Sequence, residues 1–189
     1  MFVFFVSCKD KNENLVAFSY DPEKVPTIIT DTTSSLISLS DTTSAKLVSD
    51  EWQMFQSAKE PFWYFPKGIY SEFYDKDFVV EATVKADSAW FYTVQGLWKL
   101  NGNVLIENAD GEQFESEEFF WNQQEGRVYS DQYVEIRRGV MLIKAVGFRS
   151  NQAMTDWEIL KPYDSRIPFS EQSSFSAPSD SLQIMEPLQ

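Results

Sequence analysis

The sequence predicts an all-β domain set between polar ends. Three observations carry that prediction. Between residues 44 and 161, short segments of period-two alternation recur, so one side of each segment is apolar and the other polar. Turn pairs fall between these segments: Asp110-Gly111, Glu125-Gly126 and Arg138-Gly139. Aromatic residues make up 16% of the chain, more apolar mass than a disordered polymer carries. With 189 residues, the chain is long enough for one well-buried domain plus tails.

Taken in order, residues 27–44 contain 11 Ser or Thr in 18 positions and read as a linker or an extended lead-in. In residues 50–59, Trp52, Phe55, Gln56 and Lys59 have helical spacing, which predicts one short helix or turn. Pro61 and Pro66 bracket Phe62-Trp63-Tyr64-Phe65 and predict an edge strand or a loop there. Phe78, Val80, Ala82, Val84 and Ala86 then form one face of a strand. Trp98, Leu100, Gly102, Val104 and Ile106 form another, and Val128, Val134 and Ile136 a third. Val140, Leu142, Val146 and Phe148 make a further face, which Lys144 interrupts. One wetted and one buried side per strand is the antiparallel pattern. Residues 86–89, 116–119 and 150–153 form a faint repeat, each following one strand and preceding another.

The ends are different. Phe2–Val6 is apolar but too short to span a bilayer, which takes roughly 20 residues. Phe5-Val6-Ser7-Cys8 resembles the end of a bacterial lipoprotein signal, with a strongly polar stretch following, and this predicts lipidation of Cys8. Residues 1–8 are thus read as a truncated signal and anchor, 9–43 as a polar linker, 44–161 as the folded domain and 162–189 as a disordered tail.

Charge and composition exclude much chemistry. There are 16 Lys and Arg against 29 Asp and Glu, a net charge of −13, so no phosphate-backbone partner is expected. The chain has no histidine, which removes His-based triads, proton shuttles and metal ligands. A single cysteine allows neither an intrachain disulfide nor a thiolate zinc cage. Glu117 and Glu118 are sequence neighbours, so on a strand they point to opposite faces and cannot share a substrate. No P-loop occurs, and Asp10, Glu13 and Asp110 lack the grouping of a calcium loop. The chain reads as no enzyme, with no cofactor and no metal. Trp98 and Trp121 have the ring area to stack on sugars, but core packing explains them more simply.

Longer runs carry a family resemblance. They are Lys85-Ala86-Asp87-Ser88-Ala89-Trp90 and Leu97-Trp98-Lys99-Leu100-Asn101-Gly102-Asn103-Val104. Gly111-Glu112-Gln113-Phe114-Glu115-Ser116-Glu117-Glu118 and Trp121-Asn122 follow. The last are Gly126-Arg127-Val128-Tyr129-Ser130-Asp131 and Gly147-Phe148-Arg149-Ser150-Asn151, leading to Met154-Thr155. Over about residues 42–160 this resembles LptC, the periplasmic component of lipopolysaccharide export, in the form found in Bacteroidetes. The resemblance implies an incomplete antiparallel β-jellyroll, open at both ends, with an apolar groove inside. Well-known LptC proteins carry an N-terminal transmembrane helix; Cys8 points to a lipid anchor here, on the periplasmic face of the inner membrane.

By periodicity alone, Val84, Trp98, Leu100, Val104, Ile106, Val128, Val134, Ile136 and Leu142 are core residues. The resemblance makes them a lipid-binding groove. It also implies edge pairing with relatives of the same fold. The N-terminal edge, with Leu47, Ile69 and Phe73, would join the LptF/LptG transporter, and the C-terminal edge, with Val140, Phe148 and Ile159, an LptA-like bridge. Energy would come from the partner ATPase. Two alternatives stay open: a lipid-free scaffold, and a carbohydrate-binding surface lipoprotein.

Overall fold

The computed structural model describes residues 20–38 and 44–166. Eleven strands occur there, with no helix, and every pairing is antiparallel. They are β1 (Ile28–Ser38), β2 (Ser44–Phe55), β3 (Phe62–Phe65), β4 (Ile69–Tyr74), β5 (Val80–Ala86) and β6 (Ser88–Tyr92). Then come β7 (Leu97–Asn108), β8 (Gln113–Asn122), β9 (Arg127–Arg138), β10 (Met141–Asn151) and β11 (Trp157–Arg166).

All strands belong to one sheet, and the sheet is creased. β2 pairs with β4 through residues 44–48 but with β3 through 53–55. β7 pairs with β6 through 97–101 and with β5 through 105–108. The registers of β7–β8, β8–β9 and β9–β10 each shift midway, at 101–104, 116–120 and 146–148. These breaks line up from strand to strand and divide the sheet into two leaves. The first holds β4, β5 and the halves of the long strands nearest them. The second holds β3, β6 and the other halves. The inner faces meet: Phe114 of the first leaf lies 5.4 Å, ring to ring, from Phe148 of the second, and Phe73 lies 5.2 Å from Trp121. This creased, jellyroll-like sheet leaves β1 and β11 as its two edges, and among the described residues no ladder joins them.

The crease follows from residue type. A ladder that turns a corner releases backbone groups, which need new partners when buried. Serine hydroxyls and a neighbouring backbone amide supply them, and a side-chain pair braces the same line. Ser49 Oγ donates to the Gly68 carbonyl at 2.7 Å, and Ser116 Oγ to that of Tyr133 at 2.7 Å. The Asp87 amide donates to the Gly102 carbonyl at 2.9 Å, and Asn103 Nδ2 donates to Asp87 Oδ2 at 2.6 Å. Residues 86–89 and 116–119 of the repeat sit on this line, whereas 150–153 fall at the end of β10 and its turn.

The structure corrects several expectations. Residues 28–38 of the expected linker form β1, paired with β2 along nearly its whole length; an edge strand facing water needs no apolar alternation. The sheet also continues to Arg166, five residues past 161. The expected helix or turn at 50–59 is strand as far as Phe55, and the turn comes after it, at Gln56 and Ser57. Phe62–Phe65 is paired on both sides, by β2 and β6; Pro61 and Pro66 sit just outside it, where a missing N–H breaks no ladder bond. In β10 the inner residues are Met141, Ile143 and Ala145, and the irregularity at Gly147 brings Phe148 inward. Leu142 and Val146 therefore lie on the outer face with Lys144. The polar tail beyond 166, like Cys8 and the segment around it, lies outside the described residues.

The outer faces are zipped by charge and aromatic stacking. On the second leaf, cross-strand neighbours run Tyr64, Trp90, Lys99, Phe120, Tyr129, Arg149. Tyr64 stacks on Trp90 and Phe120 on Tyr129, while Lys99 and Arg149 lie over the outer ring faces of that second pair. On the first leaf, hydrogen bonds from Tyr74 and Tyr70 hold the Glu72 carboxyl below the usual range, with Lys46 adding to the effect.

Candidate functional site

Between the leaves lies a cavity of about 220 Å³. One wall comes from β2, β4, β5 and β7 of the first leaf: Ala45, Leu47, Ile69, Ser71, Phe73, Ala82, Val84 and Ile106. The facing wall comes from the second leaf: Trp98, Leu100, Trp121 and Val128. Ile37 of β1, Glu81 and the β10–β11 turn at Gln152, Ala153 and Met154 complete it. The second wall has an aromatic spine. Trp63, Phe91, Trp98 and Trp121 are cross-strand neighbours in one row, with ring centroids 5.0, 4.7 and 6.4 Å apart in turn.

The geometry sorts the sequence expectations. Val84, Trp98, Leu100, Ile106 and Val128 line the cavity. Val104, Val134 and Ile136 are fully buried in the packed core beside it, and Leu142 is on the outer face. Of the residues assigned to partner edges, Leu47, Ile69, Phe73 and Phe148 fall elsewhere, because β2, β4 and β10 are paired on both sides. Leu47, Ile69 and Phe73 line the cavity instead, and Phe148 is core. Val140 is exposed at the β9–β10 turn, and Ile159, on edge strand β11, packs half-buried against the core. Sequence reasoning missed Ala45, Ser71, Ala82 and the turn residues as cavity lining. It also left Trp121 out, although its strand position on the face of Phe119 was a usable signal.

The β10–β11 turn is fastened across the mouth. Asn108 Nδ2, at the tip of the first leaf, donates to the Met154 carbonyl at 3.0 Å and to Glu112 Oε2 at 2.9 Å. Trp157 Nε1, on the second leaf, reaches the same Glu112 oxygen at 3.3 Å, and Arg138 pairs with the other at 2.8 Å. Glu112 is a buried carboxylate, held by three side chains from three strands, β7, β9 and β11. Truncating Asn108 to Ala strips two hydrogen bonds from buried acceptors, at about 1–3 kcal/mol for groups so orphaned. We expect Asn108→Ala to lower unfolding free energy by about 2 kcal/mol in urea titrations. Amide exchange at Met154 should quicken more than exchange in the middle of β9.

The site holds no acid–base pair facing the cavity, and among the described residues no three His, Cys, Asp or Glu side chains gather as metal ligands. Its walls offer apolar surface and two stacked indoles. Among the described residues no helix is long and apolar enough to cross a membrane. No curated protein matches the chain. The family model described as lipopolysaccharide-assembly, LptC-related, matches residues 3–163, and the chain belongs to that family.

Proposed function

We propose that this chain is a periplasmic carrier of lipopolysaccharide, which takes lipid from an inner-membrane ABC transporter and passes it to an LptA-like bridge. Family membership makes lipopolysaccharide transport the process, and LptC-related proteins are periplasmic and associated with the inner membrane. The observation that carries the finer reading is the apolar cavity between two leaves that are not joined at their edges. Each acyl methylene moved into it from water gains about 0.8 kcal/mol. A dry cavity of about 150 Å³ accepts benzene, so the cavity here, its mouth partly covered by the β10–β11 turn, has room for a short acyl segment. Housing several chains requires the leaves to part at the mouth. The reading also assigns the β1 edge to the transporter and the β11 edge to the bridge, by strand addition. It places the membrane anchor at Cys8.

The test is photo-crosslinking of lipopolysaccharide to a probe amino acid at Val84. Ala153→Trp, at the exposed rim, and Ala82→Phe, in the wall, both fill the cavity without adding charge. Each is expected to cut the crosslink at least tenfold while thermal unfolding stays cooperative. Undiminished crosslinking in both variants defeats the proposal.

A further inference from the structure

The free end of the first leaf holds apolar side chains out in water. At the β4–β5 hairpin, Phe78 is 65% exposed, Val79 60% and Val80 40%; at the β9–β10 turn, Val140 is 84% exposed. The ladders set these turns at one end of the leaf: Tyr74 pairs with Val80, Ala82 with Asn108, Glu107 with Gln113 and Gln113 with Arg137. Asn108, which fastens the turn across the cavity mouth, stands at that same end. Phe78 is also held in a conformation that a bulky residue rarely adopts, with φ +59°, in the left-handed region. Asp75 locks it there. Its Oδ1 accepts from the Asp77 and Val79 amides, each at 2.8 Å, and its carbonyl from the Phe78 amide at 3.1 Å. Glycine would make this turn without strain and without an exposed ring.

We propose that this end of the first leaf, through Phe78, Val79 and Val140, docks on a zwitterionic lipid surface and so brings the cavity mouth to the membrane. The area argues for lipid. Even at about 200 Å² for each whole side chain, the exposed fractions leave less than roughly 500 Å² to cover, short of the about 800 Å² per partner in a stable protein interface. Lipid sets no such minimum, because binding grows with each apolar side chain that enters. Charge argues for a zwitterionic surface. Arg137 is paired with Glu115 and Glu135, and Arg138 with Glu112, while Lys76 stands beside Asp77. The chain's net charge of −13 opposes anionic headgroups. This contact adds to the carrier reading and does not depend on what the cavity holds.

The test places the environment-sensitive dye NBD at single sites of the full chain carrying Cys8→Ser, and adds phosphatidylcholine vesicles. Dye attached through Val79→Cys or Val140→Cys is expected to brighten at least twofold and shift to the blue, at high salt as at low. Dye attached through Val94→Cys should stay unchanged, although Val94 is 72% exposed, because it lies at the β6–β7 turn, on the end of the second leaf. Phe78→Gly should unfold at the same temperature as the parent or higher, since it relieves the strained turn. It should nonetheless weaken vesicle binding, read at position 140, about tenfold, the loss of one buried aromatic side chain. Dyes at 79 and 140 that respond no more than the dye at 94 overturn the proposal. So does undiminished binding by Phe78→Gly, or a response that requires phosphatidylglycerol. If Phe78→Gly fails to fold, the three dye positions still decide. None of these failures touches the carrier reading, which the crosslink at Val84 tests separately.

Discussion

Phe148→Ala is expected to lower the unfolding free energy by about 3–5 kcal/mol, as for other large aromatic truncations in a closed core. Phe148 has no exposed surface. It sits where the leaves are clamped: its ring is 5.4 Å from Phe114 of the first leaf, 5.8 Å from Phe119 and 6.3 Å from Trp157. Phe114 and Phe119 sit on β8, which is paired through two ladders, so they relax little into the void, and the cavity term is paid in full. The loss is of inter-leaf contact, since the backbone pairing of β10 with β9 and β11 is untouched. Urea denaturation followed by tryptophan fluorescence measures it. Val128→Ala, in the cavity wall, removes far less packed volume and should cost about 1–2 kcal/mol. A Phe148→Ala variant no weaker than Val128→Ala would mean that the leaves are not held together through this aromatic cluster.

What the sequence made legible was what a single strand can encode. Ala82 and Val84, Trp98 and Leu100, and Val134 and Ile136 face inward as their alternation predicts, because the period of two is a property of the backbone. The hairpins at Asp110-Gly111, Glu125-Gly126 and Arg138-Gly139 also lie between the predicted strands. The crease is different. It depends on five strands, β2 and β7 to β10, breaking at matched positions, and no local pattern announces that Ser49, Gly68, Asp87 and Gly147 will stand in line. Alternation fails in β10 for this reason: apolar residues occupy both faces, and the shift at Gly147 decides which side Phe148 joins. The Ser- and Thr-rich β1 was illegible because its outer row meets water and only Ile37 reaches the cavity. The cavity itself is a relation between leaves, so Leu47, Ile69 and Phe73 read as an edge until the sheet is folded over them.

The crease gives the second large expectation, Gly68→Ala. Gly68 has φ +85°, in the left-handed region, and its carbonyl receives the Ser49 hydroxyl. A Cβ there would lie 2.8 Å from the Ala86 carbonyl oxygen. That oxygen belongs to the strand paired with Ile69, so it cannot swing away without loosening the β4–β5 ladder. Left-handed strain contributes roughly 1–2 kcal/mol and forced overpacking roughly 1–3 kcal/mol, for a total near 3–4 kcal/mol. Gly139→Ala separates the two causes: φ is +56° and nothing lies within 4 Å of the added carbon, so strain acts alone and about 1–2 kcal/mol is expected. Thermal unfolding of the two variants side by side gives the difference. Because Gly68 turns the chain from β3 in one leaf into β4 in the other, its variant should also weaken the acyl cavity they enclose, whereas Gly139→Ala should leave ligand entry unchanged. Equal destabilisation by the two substitutions would mean that the corner yields freely. The close approach of the two backbones would then play no part in setting the angle between the leaves.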